Sequence, residues 1–275
     1  MLQHHILLDF EHLDGNQGLG RYVMLPGDRS RALKIAEHFT DLQVVENPRG
    51  HTAYLGRLEG GPEEEPIDVL VISTGMGCPS VEIVVHELLE CGARRLLRIG
   101  SCGSLRDELG EGNVVVATGA VRDEGTSPHY APPEFPALAH PRAIAALVEG
   151  AERTGLAART YLGIVHSKDS LYAREFGQGP AGKRNEEYME WIARAGTIAS
   201  EMEAAALFVL AAARSFPAAI SERDVRSVQA GCVLAVFGDG RSMDFNEDVA
   251  IAAERRAITV AIEGIRAWAR ADRAL

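Results

Sequence analysis

Short apolar runs alternate along this chain with longer stretches in which apolar residues recur every three or four positions. Tyr22–Leu25 reads as a strand stopped by Pro26-Gly27-Asp28, and Asp28 is placed to cap a helix over about residues 29–39. Val44-Val45 and Thr52–Leu58 read as strands, and GGPEEEP at 60–66 as an exposed acidic turn. Ile67–Ser73 has the unbroken apolarity of a buried strand, and the glycine-rich STGMGCPS at 73–80 follows, with Pro79 where a helix starts. That helix, about 80–91, carries Val81, Val84, Val85, Leu88 and Leu89 at helical spacing. Further strands are predicted at Leu96–Ile99, Val114–Ala120, Ala158–Val165 and Cys232–Phe237, and helices at Pro141–Gly155, Glu201–Arg214 and about 246–272. The alternation predicts an α/β fold: a single domain over 1–275 with a mixed, mostly parallel β-sheet flanked by helices on both faces. Two stretches, 173–190 and 215–228, read as connectors or as loops beside a site.

Composition narrows the class of function. With 46% hydrophobic and 24% charged residues the chain has the ordinary globular mix, and its net charge of -11 disfavours nucleic acid and anionic membrane as partners. Apolar runs such as Val69–Ile72 are far short of the roughly 20 residues that span a bilayer. The start, MLQHHILLDFEH, has no basic segment or small-residue cleavage site, so a cytoplasmic protein is expected. Cys78, Cys91, Cys102 and Cys232 lack metal-site spacing, and no metal is expected. Of 28 basic residues only Lys34, Lys168 and Lys183 are lysines, so an arginine here gains meaning from its context alone.

Open parallel sheets bind ligands at the carboxyl ends of their strands. Three such ends carry unusual residues. In Leu25-Pro26-Gly27-Asp28-Arg29-Ser30-Arg31, an exposed glycine amide, a helix N-terminus and Arg31 one turn in together suit an anion, though a capped turn with a surface arginine has the same sequence. In Arg98-Ile99-Gly100-Ser101-Cys102-Gly103, an arginine ending an apolar run needs a buried partner such as a phosphate oxygen, unless the strand is an edge with Arg98 in water. In Ser200-Glu201-Met202-Glu203, a strand-to-helix junction would let one carboxylate reach a sugar diol while the other serves structure; acid at a helix N-terminus is the alternative. Asn47-Pro48-Arg49-Gly50-His51 is a fourth candidate or an ordinary hairpin. Neither GxSxG nor a dinucleotide or Walker loop occurs, Cys102 has no evident activating histidine, and His129 reads as a loop histidine.

Taken in order, PGDxxR at 26–31, NPRGHT near 49, STGMGCPS near 76, RIGSCG near 100, VRDEGTSPHYAPPEFPA at 121–137 and SEMEAAAL near 203 resemble the nucleoside phosphorylase family of the hexameric type. Within it the chain is most similar to uridine phosphorylases, through VRDEGTSPHYAPPEF, HSKDSLY at 166–172 and its length. The resemblance implies attack of inorganic phosphate on the anomeric carbon of a nucleoside, giving (deoxy)ribose 1-phosphate and free base with no cofactor. By motif match Gly27, Arg31, Arg98 and Ser101 would bind phosphate, with Arg49 supplied by a neighbouring subunit. Glu203 and Met202 would hold the ribose, Glu201 would support them, and His5 would reach a neighbour's 5′-hydroxyl. Arg98, Glu203 and Arg31 would carry the chemistry, and sites shared between subunits imply a homo-oligomer of hexamer type.

The base end departs from the pattern. Cys102, Gly103 and Leu171 would line it, but Leu171-Tyr172 is followed by Ala173-Arg174-Glu175-Phe176-Gly177-Gln178, with the family's glutamine out of place, so Arg174 or Gln178 would read the pyrimidine. Ser101-Cys102-Gly103 is the form of hexameric purine nucleoside phosphorylases, and Asp239 falls near their base-protonating acid. Gly50 replaces the glutamate that helps some bacterial relatives hold potassium, so that ion is not expected. A purine phosphorylase, a hydrolytic nucleosidase and a non-catalytic nucleoside-binding protein remain as alternatives to the uridine reading.

Overall fold

The computed structural model describes residues 1–61, 64–215, 227–240 and 244–275. The apolar runs become a ten-stranded mixed sheet in the order β10-β6-β8-β9-β5-β1-β4-β3-β2, with β7 (Ala137–Leu138) on β6. β1 (Tyr22–Pro26) lies parallel between β4 (Ile67–Ile72) and β5 (Arg95–Ser104). β2 (Thr40–Val45) and β3 (Ala53–Leu58) extend that side as an antiparallel meander. On the other side β5 runs parallel to β10 (Gln229–Gly238), which meets β6 (Val114–Asp123) antiparallel. β6 pairs with β8 (Thr160–Lys168), β8 with β9 (Ala199–Glu201), and β9 returns to β5 at Gly103-Ser104. Strands β5, β10, β6, β8 and β9 thus close into a small ring, which brings several strand ends to one place.

Helices cover both faces, as the alternating pattern predicts. One apolar layer packs under α3 (Cys78–Glu90) and α6 (Ala204–Ser215). The other lies under α2 (Arg29–Ala36), α4 (Pro141–Arg153) and α7 (Glu247–Arg273). A short α1 (Phe10–Leu13) precedes the sheet. α6 is buried along most of its length, which is why its sequence is alanine and leucine rather than amphipathic.

Two expectations near the site change. The helix expected over Glu201–Arg214 starts at Ala204, because Glu201 still lies in β9 and its carboxylate accepts the Ala204 N–H at 3.0 Å. The stretch 173–190 is not a plain connector: Leu171–Glu175 forms a wide helical turn, and α5 (Gly182–Arg194) buries Asn185, Met189 and Ile192, with Asn185 donating to the Ala173 carbonyl of that turn (2.8 Å). Its charged residues occupy the other face, which hid the helix behind Gly177, Gly179 and Pro180. Of the acidic turn at 60–66, residues 62–63 lie outside the described residues, as do 216–226 of the second loose stretch.

Candidate active site

The ends of β1 and β4 are tied by Thr74 N–H to Pro26 O (2.8 Å) and Gly75 N–H to Gly27 O (3.1 Å). A Cβ on Gly27 would stand 3.0 Å from the Gly75 carbonyl oxygen, so a side chain there would push the two loops apart. Asp28 caps α2, accepting the Arg31 N–H at 3.1 Å. Arg31 turns inward instead of into water: Nε donates to Glu254 (2.8 Å) and Nη1 to the Ile99 carbonyl (3.2 Å).

β5 is central, so Arg98 is buried and the edge-strand reading fails. Its guanidinium lies over Gly100, where a Cβ would come within 2.9 Å of Nη2; the glycine of the RIG motif is the room the arginine needs. Nε donates to Glu201 (3.1 Å) and Nη2 to Glu203. Nη1 is buried and has no hydrogen-bond partner among the described residues. Burial works against the charge, but Glu203 and Glu201 outweigh it and hold the Arg98 pKa above its ordinary value.

Both carboxylates reach Arg98 because the chain is still extended at Glu201 and has not begun its helix at Glu203. Glu201 also accepts from Ser167 Oγ and from the Glu203 N–H (2.9 Å), and burial pushes its pKa up. Glu203 accepts the Gly77 N–H at 2.6 Å, so the STGMGCPS turn orients this carboxylate.

A cavity of about 760 Å³ opens over these strand ends. Its lining brings together Gly27, Arg31, Arg98, Ser101, Met202 and Glu203, and also Cys102, Gly103 and Leu171. Burial pushes the Cys102 thiol far up, which makes it a wall and not a nucleophile. The lining also contains Gly75, Met76, Lys168, Glu175 and Phe176, to which sequence reasoning gave no role. For Lys168 a signal existed: it is a rare lysine in an arginine-rich chain, at the end of a strand.

Five expected site residues are not in this lining. Arg174 was expected to read a base, but its guanidinium binds Asp123 (2.7 and 3.0 Å) and Asn185 (2.9 Å) and lies 4.2 Å over the Tyr188 ring. Gln178 is exposed beyond the wide turn, tied by its N–H to the Tyr172 carbonyl (3.0 Å). Asp239 is exposed at the end of β10. Arg49 is exposed, and His5 is half-buried with Nδ1 2.6 Å from Glu87. The segments that carry the last two meet, because Asn47 in the Arg49 loop donates to the His5 carbonyl. His129 lies elsewhere, in a separate hollow with Glu82, Tyr130 and Asp169. Among the described residues, no group of His, Cys, Asp and Glu is arranged to hold a metal ion, and no helix is long and apolar enough to cross a membrane.

Charged arginine and paired carboxylates at the carboxyl ends of parallel strands define an α/β protein with a small-molecule site suited to an anion. The sequence profile of the phosphorylase superfamily matches residues 21–261. The chain is 39% identical to a uridine phosphorylase of Treponema pallidum (strain Nichols), over 90% of this chain and 89% of that protein. It is 34% identical to a uridine phosphorylase of Thermococcus kodakarensis (92% of this chain, 84% of that one). It is also 34% identical to a guanosine phosphorylase of Halorubrum lacusprofundi (69% and 71%). The chain belongs to the phosphorylase superfamily.

Proposed function

We propose that residues 1–275 act as one phosphorylase domain that cleaves the N-glycosidic bond of uridine-type nucleosides with inorganic phosphate. The products are (deoxy)ribose 1-phosphate and free base, and no organic cofactor takes part. The observation that carries this reading is the buried, unpartnered Nη1 of Arg98, a residue that lines the cavity with Arg31, Ser101 and Gly27. A buried charged nitrogen without a partner is costly, and a phosphate oxygen satisfies it with a charge-assisted bond.

In this reading phosphate sits against Arg98, Arg31, Ser101 and the Gly27 backbone. Glu203 accepts from the ribose hydroxyls and Met202 packs on the sugar. Holding the dianion and the sugar together converts a bimolecular attack into an intramolecular one, and the fixed charges stabilise the cationic sugar of the transition state. A hydrolytic nucleosidase would have no use for the open guanidinium nitrogen.

His5 and Arg49 both lie outside their own chain's cavity, and Asn47, two residues before Arg49, bonds the His5 carbonyl, which supports donation of both to a neighbouring subunit's site in a homo-oligomer of hexamer type. Nucleoside catabolism or salvage in the cytoplasm is the role this implies. The test is base release from uridine, thymidine and inosine, each with and without phosphate. Release from uridine that requires phosphate is expected; release that ignores phosphate would support a nucleosidase, and inosine cleavage alone a purine enzyme.

A further inference from the structure

Lys168 and Glu175 form an ion pair inside the cavity lining, with side chains 2% and 3% exposed. Lys168 ends β8 and Glu175 closes the wide turn that follows. Apart from the Ser200 hydroxyl, the lining around them includes the apolar or small Cys102, Gly103, Leu171 and Phe176. Two charges taken from water into such surroundings recover little from each other alone. The pair makes sense when a ligand completes it.

The donors and acceptors say which ligand. An ammonium has three N–H donors, and Glu175 takes one. Glu175 Oε2 also accepts from the Ser200 hydroxyl at 3.1 Å. Oε1 lies against Gly103, where a Cβ would stand 2.8 Å from it. A donor beside an acceptor matches a carbonyl beside an N–H. The geometry points to Lys168 and Glu175 as the residues that read the base, through the lactam edge that uracil and 6-oxopurines share. Cytosine and adenine present an amino group to the ammonium and a bare ring nitrogen to the carboxylate, so the pair repels both.

The pair also has a part in bond breaking. As a phosphate oxygen forms its bond to C1′, the electron pair of the C1′–N bond leaves with the base and spreads onto the carbonyl oxygen facing Lys168. The ammonium stabilises that charge, and the proton lost by the phosphate ends on the base as it returns to water. Arg174 has a different part from the one its sequence position suggested. Bound to Asp123 and Asn185, it pins the turn that carries Glu175. His166 continues the same support, with Nδ1 3.0 Å from Ser200 Oγ and Nε2 3.0 Å from Asp123.

This inference rests on the phosphorylase reading, and the experiment separates the two. Turnover of uridine, inosine, guanosine, cytidine and adenosine is measured at saturating phosphate for the wild type, Glu175→Gln and Lys168→Met. Binding of free uracil, hypoxanthine, cytosine and adenine is titrated in parallel by calorimetry. The wild type should favour lactam nucleosides over cytidine and adenosine by on the order of a thousandfold in kcat/KM. Glu175→Gln should shrink that ratio to about tenfold, and Lys168→Met should lower kcat by on the order of a hundredfold, both with little change in the KM for phosphate. The uridine and 6-oxopurine arms show which lactam the cavity accepts. Equal turnover of uridine and cytidine, or full discrimination by Glu175→Gln, would overturn the assignment. Should a variant fail to fold, wild-type binding decides: uracil or hypoxanthine without cytosine or adenine supports it, and cytosine bound as well as uracil sinks it. Loss of all turnover in the wild type would refute the phosphorylase reading, while the titration would still judge the lactam edge.

Discussion

Arg95 and Arg98 stand three residues apart on β5, both buried, on opposite faces of one strand. Arg95 is closed: Asp272 takes Nε at 2.8 Å and Nη2 at 3.1 Å, and the Ser227 carbonyl takes Nη1 at 2.8 Å. Tyr22 and Arg142 bind the same Asp272, which anchors α7 to the amino end of the sheet. Arg98, a residue of the cavity wall, also binds two carboxylates, yet its buried Nη1 has no hydrogen-bond partner among the described residues. The same side chain in the same strand is structural where its donors are spent and available for chemistry where one is left over. Burial alone does not separate the two; the accounting of donors does.

That contrast can be broken from either side. The largest effect is expected from Arg95→Met, which leaves Asp272 short of its main partner and should lower stability by about 3–5 kcal/mol in denaturant unfolding, with turnover per folded molecule kept. Arg98→Lys should do the reverse. It keeps a charge near the carboxylates but removes the unpartnered nitrogen, so the KM for phosphate should rise roughly tenfold to a hundredfold with a smaller loss of stability. Phosphate at a hundred times its Kd should stabilise the wild type by about 2.7 kcal/mol, read as a rise in Tm, and should move the Lys variant much less at the same concentration.

Gly100→Ala sharpens the comparison further. The new Cβ would crowd Arg98 Nη2 at 2.9 Å and Leu234 Cδ2 at 2.8 Å, displacing the guanidinium at a cost of about 1 kcal/mol, seen as weaker phosphate dependence. The closed end offers a test by pH. Burial first, then Arg95 and Arg142, pull His140 down to about 4. The unfolded chain takes up this proton near its ordinary pKa of about 6.5, while the folded chain resists until near 4. Stability should therefore fall as pH drops through that window, and His140→Asn should flatten the slope in urea titrations between the two values.

Much of the fold was legible because glycine and proline mark the strand ends and the apolar runs are short. Closure of β5, β10, β6, β8 and β9 into a ring was not, since pairing between Gly103 and Ser200 leaves no local trace. At the site, Arg98 could be picked out as an arginine ending an apolar run, but whether it faced water depended on β5 having a neighbour on each side. Glu201 and Glu203 stand at a strand-to-helix junction, one of the two arrangements their sequence allowed, and the helix starts at Ala204 instead of Glu201 because Glu201 still belongs to β9. The base end was read least well. Arg174 had the right chemistry and nearly the right position, yet Asp123, 51 residues earlier, captures its guanidinium. Glu175, its neighbour, turns into the cavity instead, because successive residues of a helical turn point in different directions.

The most direct test of the site is ³¹P NMR of the wild-type protein with uridine across a range of phosphate concentrations, with uracil followed by absorbance. A sugar phosphate should appear in step with uracil, at a rate that saturates with phosphate. Uracil released with free ribose, at a rate indifferent to phosphate, would contradict the role given to the open nitrogen of Arg98.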